Sequence, residues 1–79
     1  MNDEVYLKKL GMKLKILRSL KGFSQDDVAN ALDVDKSYYS KVERGLTNVT
    51  IIYLKHLAEF FKVEIVELVN GDISDLPFE

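Results

Sequence analysis

The stretch FSQDDVANALDVDKSYYSKVERG, residues 23–45, decides the fold. It reads as two short helices with a tight connection. Ser24 followed three residues later by Asp27 is close to a capping box, with Asp where Glu or Gln is usual. Phe23 before that cap and Val28 after it have the spacing of a hydrophobic staple, so the first helix opens at Ser24 and ends near Leu32. Asp35 is a good N-cap for the second helix, Val34 and Tyr39 repeat the staple spacing, and Gly45 stops it just after Arg44. With about three residues between them, the two helices must cross steeply, as in a helix-turn-helix unit. Such a unit needs a small side chain where its helices touch, and Ala29 supplies it amid apolar Val28, Leu32, Val34, Tyr39 and Val42. The turn needs a residue tolerant of positive φ. Here it is Asp33, and aspartate enters the left-handed region more readily than most non-glycine residues.

Outward from this pair, helical spacing continues in both directions. Leu7, Leu10, Leu14 and Leu17 form a stripe that predicts a first helix from about Asp3 to Lys21, with the lysines mostly off the stripe and Gly22 as its stop. Thr50 opens a fourth helix whose inner face is Ile51, Leu54, Leu57, Ala58 and Phe61, with Val49 and Leu54 as a third staple. A short fifth helix, about Ile65 to Val69, turns Ile65 and Leu68 inward before Gly71. No stretch alternates in the manner of a strand, so the fold class is all-α: five helices, with the helix-turn-helix in the second and third. One domain is expected over 1–71, followed by a short tail, 72–79, in which apolar Ile73, Leu76 and Phe78 could dock at a dimer interface.

Composition narrows the chemistry. The chain has no cysteine, a single histidine (His56) and no glycine-rich phosphate loop. No catalytic residue, metal site or cofactor is therefore expected. Apolar runs are too short to span a membrane. The start, Met1 to Glu4, is polar and acidic, unlike a signal peptide, so the expected location is the cytoplasm.

The net charge of −2 argues at first against a polyanionic partner, but its distribution does not. Lys8, Lys9, Lys13, Lys15, Arg18 and Lys21 follow one another with no acid among them. Lys36, Lys41 and Arg44 form a second basic group, whereas from His56 onward Lys62 stands against Glu59, Glu64, Glu67, Asp72, Asp75 and Glu79. A basic face can meet phosphate while the acidic end points away. On the third helix the outward residues are Lys36, Ser37, Ser40 and Lys41, flanked by Tyr38. Alone, they would read as a solvated helix face. On the second helix of a helix-turn-helix, they occupy the positions that meet base edges in the major groove of duplex DNA. Gln25 and free backbone N–H groups at the start of the preceding helix suit phosphate.

From Leu10 to Leu68 the chain resembles the XRE family, the helix-turn-helix class of phage repressors and Cro-type proteins. The resemblance is carried by LRSLKGFSQDDVANAL, VDKSYYSKVERGLTN and YLKHLAEFFKVEIVEL. It implies a lambda-repressor-like domain whose third helix reads the major groove. It further implies that Gln25 contacts the edge of the DNA site, that Lys36, Ser37 and Lys41 read bases, and that Arg44, Thr47 and Asn48 lie in a loop gripping phosphate. Gln25 and Ser40 join the expected base readers; Ser24 and Tyr38 join the expected phosphate contacts. Arg18 and Glu43 match a charged pair tying the first helix to the end of the third, a structural role and not a catalytic one. The chain departs from the pattern at Asp33 and Lys62, where glycine is common, at Val49, where proline is common, and at the bulky Tyr39. The run from Tyr39 to Thr50, YSKVERGLTNVT, also resembles the short controller proteins of restriction–modification systems, which are dimers.

A homodimer on a palindromic operator is expected, since one recognition helix reads only a few base pairs. Ile52, Phe60, Val66 and Val69 are its expected interface, the first three at positions that should face outward. The expected function is that of a transcriptional repressor or controller. The alternative is an antitoxin or protein-interaction module on the same fold.

Overall fold

The computed structural model describes residues 3–70, which form five helices and, among those residues, no strand. They are α1 (Asp3–Leu20), α2 (Gln25–Ala31), α3 (Lys36–Glu43), α4 (Ile51–Phe61) and α5 (Ile65–Val69). The tail 72–79, with Ile73, Leu76 and Phe78, lies outside the described residues. Among the described residues no helix is long and apolar enough to cross a membrane.

The helix ends follow from local hydrogen bonding. Ser24 Oγ accepts from the Asp27 N–H at 3.0 Å, and the Asp27 carboxylate accepts from the Ser24 N–H at 2.8 Å, so Asp completes the capping box. Thr50 Oγ1 accepts from the Tyr53 N–H at 3.1 Å. Asp35 differs from expectation. It is the N-cap residue of α3, with an extended backbone, but makes no side-chain cap bond. A second capping box, between Glu64 and Glu67, opens α5.

Four helices close with one device. In each, a left-handed residue follows the last turn: Gly22, Asp33, Gly45 and Lys62. The next N–H then reaches back to a carbonyl five residues earlier, as Val34 N–H does to Ala29 O at 3.0 Å and Val63 N–H to Ala58 O at 3.0 Å. Asp33 and Lys62 thus take a glycine's conformation, with φ of 59° and 60°.

The core gathers Leu10, Leu14 and Leu17 of α1, Val28 and Ala29 of α2, Tyr39 and Val42 of α3, four residues of α4 and Leu68 of α5. Helix α1 packs on α3 and α5, α2 on α3, and α4 on α5. One residue of α1 corrects the sequence reading. Lys13, read in the sequence as part of the basic run, is 2% exposed. Its ammonium donates to Glu67 O at 2.6 Å and Asn70 Oδ1 at 2.5 Å, closing the C-terminal end of α5. Nearby, the Tyr6 hydroxyl donates to Val69 O. Gly11 is buried where α1 crosses the end of α3, close enough to leave no room for a side chain. Phe60 also differs from expectation. It is half-buried, with its ring 4.7 Å from that of Phe23 and 5.3 Å from that of Phe61. Ile51, expected on the inner face of α4, is 64% exposed, and Ile52 and Val66 are exposed at 59% and 61%.

Candidate nucleic-acid interface

Helix α3 has two distinct sides. Tyr39, Val42 and Glu43 are buried on one, while Lys36, Ser37, Lys41 and Arg44 are exposed on the other, with Ser40 and Tyr38 half-buried between. The Tyr38 ring meets Tyr53 of α4 edge-on at 5.6 Å, so it is held by packing. Lys36 Nζ lies 3.7 Å from Asp26 Oδ2 of α2, both side chains being more than half exposed. An exposed pair of this kind contributes at most about 1 kcal/mol and yields readily to a phosphate or a base edge.

Beyond α3 the chain runs through Arg44 to Asn48. Arg44 Nε donates back to Ser40 O at 3.4 Å, and the Thr47 hydroxyl donates to Asn48 O at 3.4 Å. This loop lies against the start of α1. At Gly45, where φ is 72°, a Cβ would lie 2.7 Å from Lys8 Cα. The two segments enclose a cleft of about 340 Å³ lined by Glu4, Leu7, Lys8, Gly45, Leu46, Thr47 and Asn48. Lys8 therefore belongs beside the loop residues, although it was not among the expected contacts. Its signal in the sequence was its place at the head of the basic run.

The start of α2 offers less to an anion than its position suggests. The helix has seven residues, and Asp26 and Asp27 occupy its first turn. The Ser24 and Asp27 amides are already used by the capping box, and the nearby carboxylates offset the helix dipole. The side chain of Gln25, half-buried beside them, donates from Nε2 to Glu43 Oε1 at 3.0 Å.

Glu43 is the centre of a buried polar cluster, its side chain 2% exposed. Arg18 donates to it twice, Nε to Oε2 at 2.6 Å and Nη2 to Oε1 at 3.1 Å, and also donates Nη1 to Phe23 O at 2.9 Å. The pair ties α1 to the last turn of α3. Burial pushes the Glu43 carboxyl up, but the hydrogen bonds from Arg18 and Gln25, with the Tyr39 hydroxyl beside them, together outweigh it and hold the group below its ordinary value. The Tyr39 hydroxyl is buried against this carboxylate without a partner in full hydrogen-bond geometry. Burial, and then the Glu43 carboxylate beside it, push its phenol far above the ordinary value.

Two short helices crossing at a tight turn, with the second presenting a basic outward face, are the arrangement of a helix-turn-helix, and a helix-turn-helix family model matches residues 14–68. The chain belongs to the XRE family. The XRE helix-turn-helix is a DNA-binding unit of transcriptional regulators, and the matched segment runs from the middle of α1 into α5. The chain is 36% identical over 61 residues to the control protein C.MunI of a Mycoplasma species, covering 76% of this chain and 82% of that protein. It is 36% identical over 64 residues to the transcriptional regulator SlrR of Bacillus subtilis, covering 80% of this chain but only 42% of SlrR. Among solved structures, it is similar to the restriction–modification controller protein C.AhdI from Aeromonas hydrophila. There the TM-score is 0.75 and the identity 40%, over 78% of this chain and 94% of that one.

Proposed function

We propose that this XRE protein binds an inverted-repeat duplex as a homodimer and regulates transcription, in the manner of a repressor or controller. The observation that carries the reading is the sidedness of α3. Its cations Lys36 and Lys41 stand on the exposed face with Ser37, while its one acid, Glu43, is buried and neutralised by Arg18. Lys36, Ser37, Ser40, Lys41 and Gln25 read bases; Ser24, Tyr38, Arg44, Thr47 and Asn48 hold the backbone, with Lys8 beside them. Ile52 and Val66, exposed on α4 and α5, form the centre of the dimer contact, with Phe60 and Val69 supporting it from beneath.

The test is selection from a random duplex library with purified protein, repeated with Lys36→Ala/Lys41→Ala at two salt concentrations. The expected result is an inverted repeat with half-site centres about one helical turn apart, lost in the double variant. Weak, steeply salt-dependent binding with no motif would leave only the phosphate term and overturn sequence-specific reading. No binding at all would favour a protein-interaction module on the same fold.

A further inference from the structure

We infer that Glu43, besides pairing with Arg18, fixes which end of the Gln25 carboxamide faces the DNA, and so acts as a positioning residue for that contact. The inference rests on Gln25 contacting DNA, as proposed above. An ionised carboxylate only accepts hydrogen bonds, whereas a carboxamide has a donating end and an accepting end. Against Glu43 Oε1, 3.0 Å away, only the NH₂ end of Gln25 can be seated. Its Oε1 and second N–H are thereby turned away from Glu43, in a fixed sense. A neutral partner would tolerate either orientation.

Glu43 is itself immobile. Arg18 holds both of its oxygens, Tyr39 is packed against it, and its side chain is 2% exposed. The bond to Gln25 carries a full charge on the acceptor, which makes it stronger than an amide–amide bond. It also joins the first residue of α2 to the last residue of α3, so the two elements that meet DNA are keyed to each other through one side chain. The order that Gln25 needs for binding is thus set on folding. Loss of that pre-ordering lowers affinity roughly three- to tenfold, the cost of immobilising one long side chain on binding.

The experiment is a double-variant cycle on the duplex recovered by selection, read as dissociation constants at 10 °C, with circular dichroism confirming that each variant is folded. Glu43→Gln is expected to weaken binding by that factor in the native background and to have no further effect in a Gln25→Ala background. Equal losses in both backgrounds would show that Glu43 acts only through stability and would overturn the inference. A Gln25→Ala variant that binds as well as the native chain would instead remove Gln25 as a contact, and with it the premise. Should Glu43→Gln not fold, the native protein decides. Gln25 is the chain's single glutamine, so its side-chain amide protons are assignable by NMR. The expected order parameter matches the rigid backbone, above about 0.8; a value below about 0.6 would overturn the inference.

Discussion

The backbone of Val42 and Glu43 occupies the space where a side chain at Gly11 would begin. A Cβ at Gly11 would lie 2.6 Å from Val42 O and closer still to Glu43 O. Both obstacles are carbonyls at the end of α3, so neither can turn aside as a side chain could. Gly11→Ala should therefore destabilise the fold by about 2–3 kcal/mol, even though alanine gains roughly 1 kcal/mol in helix propensity. Thermal unfolding of the variant measures it, and a rise in Tm would contradict the close crossing of α1 and α3.

Asp33 and Lys62 both pay a steric cost for a left-handed backbone. A non-glycine residue there costs about 1–2 kcal/mol, and glycine returns about half of that gain through the entropy of the unfolded chain. Asp33→Gly and Lys62→Gly should each stabilise by roughly 0.5–1 kcal/mol, a few degrees in Tm for a chain of this size. They lie at the ends of different helices, so the effects should add in a urea melt of the double variant.

Removing one partner of the Arg18–Glu43 pair strands the other in the interior. Arg18→Met should cost about 3–5 kcal/mol. The pair also gives stability a dependence on acid. Glu43 ionises below its ordinary value when folded, so its contribution is complete above the unfolded value of 4.5 and is lost as pH falls from there through the folded value. Stability followed between pH 6 and about pH 2 should fall less steeply in Glu43→Gln than in the native protein. Parallel curves would remove Glu43 as the source.

At the proposed dimer contact, Val66→Asp and Phe60→Asp should behave differently. Val66 is exposed, so its variant should sediment as a monomer with an unchanged circular dichroism spectrum. Phe60 packs on Phe23 and Phe61, so its variant should lose about 3 kcal/mol or more of stability as well. A Val66→Asp protein that remained dimeric would place the contact elsewhere.

The helices were legible because their signals are local. Ser24, Asp27, Thr50 and the glycines act within one turn, and the leucines of α1 recur at a period set by the helix itself. What escaped the reading depends on distant partners. Lys13 sits three residues after Leu10 and four before Leu17, inside the apolar stripe, but its charge argued for solvent until the carbonyl end of α5 was there to receive it. Gly11 carries no signal in the sequence beyond a mid-helix glycine, and only the approach of α3 accounts for it. The outward residues of α3 could be named from spacing alone. Lys8 could not, because its closeness to Gly45 arises from a fold in the chain and from no periodicity.

The contacts of Tyr6 and Lys13 with the end of α5 bear on the order in which the molecule assembles. They join residues 63, 54 and 57 positions apart, so they close loops that span most of the described chain. A helix of five residues has no persistence of its own in water. Helix α5 therefore depends on its packing against α1 and α4, whereas the α2–α3 pair is closed by neighbours in sequence. In native-state hydrogen exchange, the amides of α5 and of the start of α1 are expected to open together, as one late-forming unit separable from the α2–α3 pair.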